Sequence, residues 1–154
     1  MSHRKRGFSL IELLIVIAII LIIMGMALGP LQQAKMQALE AGAINAVKTI
    51  HAAQAQYQSQ YGRYASTLVE LGPPATGSLG MAAAGLIGSD LAKGEKSGYR
   101  YTLQATEDGY TVNADPVSFN SSSKHTFYSD QTLILRQNST KEPATAASPE
   151  FNPR

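Results

Sequence analysis

The sequence predicts an α+β fold in which one long N-terminal helix packs on a small antiparallel sheet of about four strands. Three patterns lead to this prediction. The 17 residues from Leu13 to Gly29 carry no polar side chain, residues 31–61 place apolar side chains mostly three, four or seven positions apart, and residues from Tyr99 onward alternate between apolar and polar. The first two patterns indicate a helix with an apolar half and an amphipathic half, and the third indicates short strands.

The first half of the helix, residues 8–30, is predicted to span a membrane once. At about 1.5 Å per residue, this stretch is long enough for a hydrocarbon core of roughly 30 Å. The basic run Arg4-Lys5-Arg6 precedes it, as the positive-inside rule expects of a short cytoplasmic end. No other stretch of the sequence approaches the length of about 18 apolar residues that a span requires, so one span is expected.

One carboxylate, Glu12, lies at the start of this apolar stretch. An acidic side chain inside a membrane costs about 2.5–3.5 kcal/mol, so Glu12 calls for a positively charged partner. A free amino group on Phe8 would supply that partner if the chain were cut between Gly7 and Phe8. The sequence therefore singles out the Gly7–Phe8 bond and the Glu12 carboxylate together.

The run GFSLIELLIVIAII, from Gly7 to Ile20, resembles the leader junction and membrane helix of type IV pilins and their pseudopilin relatives. The resemblance implies a pilin-like fold and a leader peptide, residues 1–7, that prepilin peptidase removes by cutting after Gly7. It also implies that the same peptidase methylates the new amino group of Phe8. Glu12, the fifth residue after the cut, would pair with the Phe8 amine of a neighbouring subunit during filament assembly.

The resemblance further implies a location and a set of partners. The precursor would sit in the bacterial inner membrane as a single-pass protein, and the processed chain would then enter an extracellular pilus filament. Its partners would be further copies of itself in a helical homopolymer, prepilin peptidase, and the pilus assembly platform and motor proteins. No cofactor, metal or small-molecule substrate is implied, and no enzymatic activity is expected.

Gly29 and Pro30 mark the middle of the long helix, because proline lacks an amide proton and clashes with the preceding turn. Two interpretations stay open: a kink or locally unwound stretch within a continuous helix, or a membrane helix that ends at Pro30. The family's helix is interrupted in a comparable place in filaments, which favours the kink. Residues 31–64 are predicted to continue the helix in amphipathic form, with Gly62 at its C-terminal end.

Residues 65–137 are predicted to form a globular head. Ser66 or Thr67 would cap a short helix with Glu70 reaching back, and the run Gly72-Pro73-Pro74 would end it. Residues 75–98 are either a variable surface loop or contain a short helix between Met81 and Leu91. Strands are predicted at 99–105, 110–115, 126–129 and 132–136, with turns at 106–109 and 130–131.

Two further predictions concern packing and the C-terminus. One face of the sheet is expected to pack on the helix, with the helix contributing Ile44, Val47, Ile50 and Tyr57. Leu133 stands in the last hairpin where such hairpins usually have glycine. Residues 138–154 are polar and proline-containing, so a disordered tail is expected there.

Composition and spacing count against several functional classes. The sequence has no cysteine, so disulfides and thiolate metal sites are excluded. Three of its 13 basic residues lie in the predicted leader, leaving 10 against 11 acidic ones, which argues against a general polyanion binder. Catalysis and metal binding find little support. The three histidines, His3, His51 and His125, lack the spacing of metal ligands. The aspartates of the head are scattered along the sequence at Asp108, Asp115 and Asp130.

The remaining polar and aromatic candidates have simpler interpretations. Asn120 and Asn138 each begin an N-x-[ST] pattern and would be glycosylation acceptors, although solvated loops are the default interpretation. Tyr57, Tyr61 and Tyr64 lie three or four residues apart, and packing is favoured over a surface stripe for stacking.

Three functions are compared. The favoured one is a structural subunit of a type IV pilus-like filament. The first alternative is a pseudopilin of a type II secretion system. The second is a secreted binding domain whose ordinary signal peptide would be cut after Gly29, giving a mature chain that begins at Pro30.

Overall fold

A computed structural model describes residues 7–106 and 108–152, with the side chains at positions 27 and 28 excepted. The basic leader residues and Glu107 of the predicted 106–109 turn lie outside the described residues. The chain divides into two compact units, Met1–Lys35 and Met36–Arg154. Three helices and five strands are assigned in chain order: α1 Leu10–Tyr61, α2 Leu68–Leu71, α3 Ser89–Ala92, β1 Glu95–Lys96, β2 Tyr99–Ala105, β3 Tyr110–Pro116, β4 Thr126–Asp130 and β5 Arg136–Asn138.

The first unit consists of the N-terminal part of α1 and the residues before it. The helix runs through Gly29 and Pro30 without interruption, so the interpretation in which Pro30 ends the membrane helix is wrong. Pro30 removes one hydrogen bond and costs about 3 kcal/mol, but long runs of helix-forming residues flank it on both sides. Within the described residues, α1 is the one helix long and apolar enough to cross a membrane.

The second unit contains a five-stranded antiparallel sheet in the order β1-β2-β3-β4-β5. The predicted alternation in residues 99–105 and 110–115 is confirmed, because every second side chain of β2 and β3 is buried up to Leu103 and Ala114. Leu103 faces Val112 across this pair, and Val112 faces Ser129 across the next. The two-residue strand β1 makes the count five where about four were predicted.

The core lies between the second half of α1 and the inner face of the sheet. Val47, Ile50 and Tyr57 are buried as predicted, and Ile44 is partly buried at the edge of the cluster. Burying a large apolar side chain contributes about 1.5–3 kcal/mol, so these positions hold α1 against the sheet. The sheet and the short helices add further fully buried side chains to this core: Leu71, Leu91, Tyr99, Val112 and Phe127.

The end of α1 and the start of α2 lie at the predicted capping residues. Gly62 has a φ of 73°, and its amide donates to the Gln58 carbonyl at 2.8 Å, which ends α1. The Thr67 hydroxyl accepts from the Glu70 amide at 3.4 Å, and the Glu70 carboxylate accepts from the Ser66 amide at 3.3 Å. Thr67 is therefore the N-cap of α2.

The short helix predicted between Met81 and Leu91 is displaced along the chain. Residues 80–83 form a tight turn instead, with the amides and carbonyls of Gly80 and Ala83 paired at 3.0 and 3.1 Å. Gly85 has a φ of 69°, which a right-handed helix does not allow. The helix α3 therefore begins only at Ser89.

The last predicted strand is also displaced, from 132–136 to Arg136–Asn138. The Asp130 side chain accepts from the Thr132 amide at 2.9 Å, and the Asp130 carbonyl accepts from the Leu133 amide at 2.9 Å. Leu133 has a φ of 65°, the left-handed conformation for which glycine was expected. Residues 131–135 thus form a longer connection than the predicted two-residue turn.

The predicted disorder of the C-terminal tail is wrong for the residues that the structure describes there. Residues 139–152, here called the C-terminal strap, pack on the sheet, with Ala144 buried. Backbone hydrogen bonds join Gln137 to Pro149 and Phe151 to Leu135, so the strap pairs with the outer edge of β5. The Phe151 ring meets Phe127 edge-on at 5.9 Å between centroids. The strap is ordered because it closes this edge and covers part of the core.

Candidate functional site

The first candidate site is the short segment before α1. Gly7, Phe8 and Ser9 have no regular secondary structure, and the Phe8 side chain is 84% exposed. Within the described part of the chain, a side chain at position 7 would meet no atom within 4 Å. The fold therefore gives no packing reason for glycine at this position. A peptidase could reach the Gly7–Phe8 bond without first unwinding the helix.

Glu12 has a role at the helix start that sequence analysis missed. Its Oε2 accepts a hydrogen bond from the Ser9 amide at 2.9 Å, and the Ser9 carbonyl accepts from the Leu13 amide at 3.2 Å. Ser9 is the residue before the helix and Glu12 the third residue in it, which is the spacing of a capping box. The sequence motif Ser9-x-x-Glu12 could have predicted this capping role of Glu12.

This geometry leaves Glu12 able to bind a second donor. A carboxylate offers about four lone-pair positions on two oxygens, and one of them is used by the Ser9 amide. The positive end of the helix dipole also lies at this position and favours a negative charge. The same side chain can therefore start its own helix and accept a hydrogen bond from an ammonium group.

The apolar half of α1 surrounds this carboxylate with exposed hydrocarbon. Every described large apolar side chain from Phe8 to Met26 is at least 45% exposed. A stretch of this length is not stable in water, so it requires a bilayer or other apolar helices around it. Either environment makes an uncompensated Glu12 costly.

The other predicted sites are dispersed. Asn120 lies in an exposed turn with a φ of 67°. The Asn138 side chain accepts from the Thr140 amide at 3.2 Å and donates to the Glu142 carbonyl at 3.3 Å, so its amide is engaged. As a glycosylation acceptor, Asn120 is the more accessible of the two. Within residues 7–106 and 108–152, no group of three or more acidic or histidine side chains could hold a metal ion.

Tyr57, Tyr61 and Tyr64 all pack against the core, as predicted. The Tyr57 ring is fully buried, and its hydroxyl lies 2.7 Å from the Met81 carbonyl and 3.0 Å from the Glu70 carboxylate. Tyr61 and Tyr64 are partly buried against the same core. The Arg63 guanidinium lies 5.4 Å from the centre of the Tyr57 ring and adds a cation–π contact.

A buried histidine is a second feature that the sequence did not reveal. His51 Nδ1 lies 2.6 Å from the Tyr110 hydroxyl, and Nε2 lies 2.8 Å from the Ser129 hydroxyl. Ser129 donates its own proton to the Ile134 carbonyl at 2.9 Å, so it accepts from His51, and Tyr110 then donates to Nδ1. Burial lowers the pKa of His51, against the opposing effect of the Asp130 carboxylate. Burial also raises the pKa of Tyr110 to about 12.

A second polar cluster joins α1 to the loop before β4. Glu40 Oε1 lies 2.6 Å from the Ser123 hydroxyl, 3.3 Å from the Lys124 amide and 2.9 Å from His125 Nδ1. Burial acts to raise the pKa of Glu40, but these hydrogen bonds outweigh it and the pKa is lowered. Ser123 is fully buried, and its hydroxyl bonds to Glu40 and to the backbone of His125 but not to the His125 ring. The cluster therefore has the arrangement of a structural latch and not that of a catalytic triad.

Comparison with known proteins agrees with the N-terminal geometry. The sequence model of the family described as "Prokaryotic N-terminal methylation motif" matches residues 2–28. No curated protein and no solved structure matches the chain significantly. The residues matched by the family model include the Gly7–Phe8 bond, Glu12 and most of the apolar half of α1.

The chain thus carries the leader and methylation motif of type IV pilins and pseudopilins. This motif supports a type IV pilin-like or pseudopilin precursor, and it is a motif that implies a structural protein. In general terms, the motif implies processing by prepilin peptidase and assembly into filaments. A membrane-anchored precursor that later enters a filament is consistent with the one apolar helix found among the described residues.

Proposed function

We propose that this chain is a structural subunit of a type IV pilus-like filament, cut after Gly7, N-methylated on Phe8 and assembled through its N-terminal helices. The observation that carries the proposal is Glu12, a carboxylate at the start of the exposed apolar half of α1 and inside the matched methylation motif. The accessible Gly7–Phe8 segment supports the position of the cut.

Assembly in this proposal depends on pairing two charges that the apolar environment penalises separately. Glu12 keeps its hydrogen bond to the Ser9 amide while its carboxylate accepts from the Phe8 ammonium group of a neighbouring copy. At low dielectric the attraction between such charges is strong, and leaving either charge unpaired costs on the order of several kcal/mol. The pair therefore selects one register between adjacent helices.

The proposal also assigns locations and partners. The precursor is a single-pass protein of the bacterial inner membrane with Arg4, Lys5 and Arg6 on the cytoplasmic side. Prepilin peptidase processes it there, and a pilus assembly platform with its motor adds it to the extracellular filament. The kink at Gly29 and Pro30 is proposed for the assembled state, where the missing hydrogen bond of Pro30 makes this turn the easiest to open.

The alternative within the same class is a pseudopilin of a type II secretion system. The methylation motif is common to pilins and pseudopilins, so the motif alone favours neither. Abundance separates them: a pilus subunit is recovered mainly in filaments sheared from the cell surface, and a pseudopilin mainly in membranes. A secreted domain beginning at Pro30 is disfavoured, because the cut would fall inside the continuous helix α1.

The test compares two substitutions of Glu12 in cells that carry the assembly machinery. Glu12→Gln keeps an oxygen that can accept from the Ser9 amide but removes the charge, whereas Glu12→Ala removes both. We expect both variants to be processed and to reach the membrane, with surface filaments reduced at least about tenfold, as loss of roughly 1.4 kcal/mol or more implies. Wild-type filament yield from Glu12→Gln would show that Glu12 serves only as a helix cap.

A further inference from the structure

A groove of about 400 Å³ lies on the outer face of the sheet, opposite the core. Strands β2, β3 and β4 form its floor, and the C-terminal strap forms one wall with Pro143, Ala144 and Thr145. The Asn113 side chain donates to the Ala144 carbonyl at 2.8 Å and so fixes this wall on the sheet. The volume falls within the range of roughly 300–1,000 Å³ that small-molecule sites have. We refer to it as the strap groove.

The floor of the strap groove combines hydrogen-bonding side chains with one aromatic ring. Asn113 lies between Thr102 and Tyr128 in directly paired positions of three adjacent strands, so these side chains form a row across the sheet. Gln104 and Thr111 form a second pair beside that row. The outer face of an antiparallel sheet is commonly polar, but here the strap turns part of it into a recess.

Asp115 lines the same groove and has an unusual environment. Its Oδ1 is buried and has no hydrogen-bond partner among the residues that the structure describes. Burial raises the pKa of the Asp115 carboxyl, and the Arg100 guanidinium, on the directly opposite residue of β2, opposes that shift. A buried acceptor without a partner costs about 1–3 kcal/mol. A ligand that brings a hydrogen-bond donor to this carboxylate would recover part of that cost.

The charges around the strap groove select the class of ligand. The described residues that line it include no lysine or arginine, so an anionic ligand finds no charged partner there. A cationic ligand would compete with Arg100, whose charge already acts on Asp115. A neutral ligand with many hydroxyl groups avoids both problems, because hydroxyls donate to a carboxylate and accept from amides. The Tyr128 ring adds an apolar surface on which the C–H face of a sugar ring can pack.

We propose that the strap groove binds a neutral saccharide, with the Asp115 carboxylate accepting from a sugar hydroxyl and the Tyr128 ring packing on a sugar face. The groove lies wholly in the second unit. It therefore shares no residue with the segment from Gly7 to Glu12 on which the proposed filament function depends. Saccharide binding and filament formation can accordingly succeed or fail separately.

Saturation-transfer NMR on the full-length chain tests this inference. The chain is held in a zwitterionic detergent without a sugar headgroup, because a glucoside or maltoside detergent would itself compete for the groove. The probes are the methyl glycosides of glucose, galactose, mannose and N-acetylglucosamine at millimolar concentration. We expect saturation transfer from the protein to the ring protons of at least one of these probes.

Substitutions with matched controls separate binding from folding. Asp115→Ala removes a carboxylate that is costly to bury, so we expect an unchanged or higher melting temperature together with at least about a tenfold weaker saccharide affinity. Asp90→Ala removes an exposed carboxylate outside the groove and should leave the affinity unchanged. Tyr128→Phe keeps the ring and should bind within about threefold of wild type, whereas Tyr128→Leu should lose at least about tenfold.

Absence of transfer to all the probes from the folded wild-type chain would overturn the inference and leave the outer face as a solvated sheet surface. Equal affinities of Asp115→Ala, Asp90→Ala and Tyr128→Leu would overturn it as well, because the saccharide would then bind elsewhere. Neither result would bear on processing after Gly7 or on filament assembly.

Discussion

At the scale of single residues, His51 is held neutral by hydrogen bonds whose directions leave no place for a second ring proton. Tyr110 donates to Nδ1 and Ser129 accepts from Nε2, while the Ser129 proton is committed to the Ile134 carbonyl. If Nδ1 took up a proton, both Nδ1 and the Tyr110 hydroxyl would be donors across their 2.6 Å contact, and the hydroxyl would have to rotate away. Burial disfavours the protonated ring, whereas the Asp130 carboxylate favours it.

The depressed pKa of His51 predicts a loss of stability in mild acid. Below about pH 6.5 the unfolded chain takes up a proton at this position that the folded chain does not bind. Stability is therefore fully present above that pH and falls as the pH decreases through the folded-state value. Each unit by which the pKa is depressed is worth about 1.4 kcal/mol. Urea unfolding of the full chain in detergent, followed by circular dichroism from pH 7.5 to 5, measures this effect.

His51→Gln removes the titrating group, and we expect it to flatten that pH dependence while lowering stability at pH 7.5. The matched control is His125→Gln, which leaves the His51 contacts untouched and should retain the fall towards pH 5. An identical pH dependence in wild type and His51→Gln would contradict this account of the buried histidine.

At the scale of elements, the C-terminal strap completes the sheet. Its residues 149–151 run beside β5 and occupy backbone groups that an edge strand would otherwise expose. The Asn113 side chain donates to the Ala144 carbonyl at 2.8 Å, and the Thr126 hydroxyl donates to the Glu142 carbonyl at 2.9 Å. The strap is thus fastened on the sheet at several separate points.

Phe151→Ala tests whether the strap contributes to folding stability. Truncation of a fully buried phenylalanine costs about 3–5 kcal/mol, and Phe151 is only partly buried, so we expect a loss of roughly 1–2 kcal/mol. The measurement is the midpoint of urea unfolding. Glu150→Ala, in the same segment but with an exposed side chain, is the control and should change stability by less than about 0.5 kcal/mol. Equal midpoints for wild type and Phe151→Ala would show that the strap is not part of the folded core.

The elements that could be predicted from the sequence are those whose signal is local. Alternation alone predicts β2 and β3, and Gly62 and Thr67 mark helix ends by their own backbone and side-chain chemistry. The strap escaped prediction because it is held by backbone hydrogen bonds and a few apolar contacts within a polar sequence. The His51 cluster escaped because its partners lie 59 and 78 residues further along the chain.

The same distinction applies to the candidate site. The spacing of Gly7, Phe8 and Glu12 was visible in the sequence, and the family match covers all three. The capping role of Glu12 was visible in principle, since Ser9 and Glu12 have the spacing of a capping box. The Leu133 conformation was partly visible, because a leucine stands where the hairpin calls for glycine.

At the scale of the whole molecule, the two units would have different tasks in the proposed filament subunit. The first supplies an exposed apolar helix with one carboxylate at its start, which suits a bilayer and then a helical filament core. The second has its own hydrophobic core and polar clusters, and without cysteine it is held by packing, hydrogen bonds and ion pairs rather than by disulfides. Without the predicted leader, residues 1–7, the remaining side chains carry 10 basic and 11 acidic groups, so the proposed assembly would meet little net repulsion.

The most direct test of the central claim is mass analysis of the N-terminal peptide in sheared surface filaments, alongside the membrane fraction. We predict a mature chain that begins at Phe8, carries one methyl group on its amino nitrogen and is abundant in the filaments. A processed chain confined to the membrane fraction would contradict the pilus proposal in favour of a pseudopilin. A mature chain beginning at Pro30 would contradict processing after Gly7 altogether.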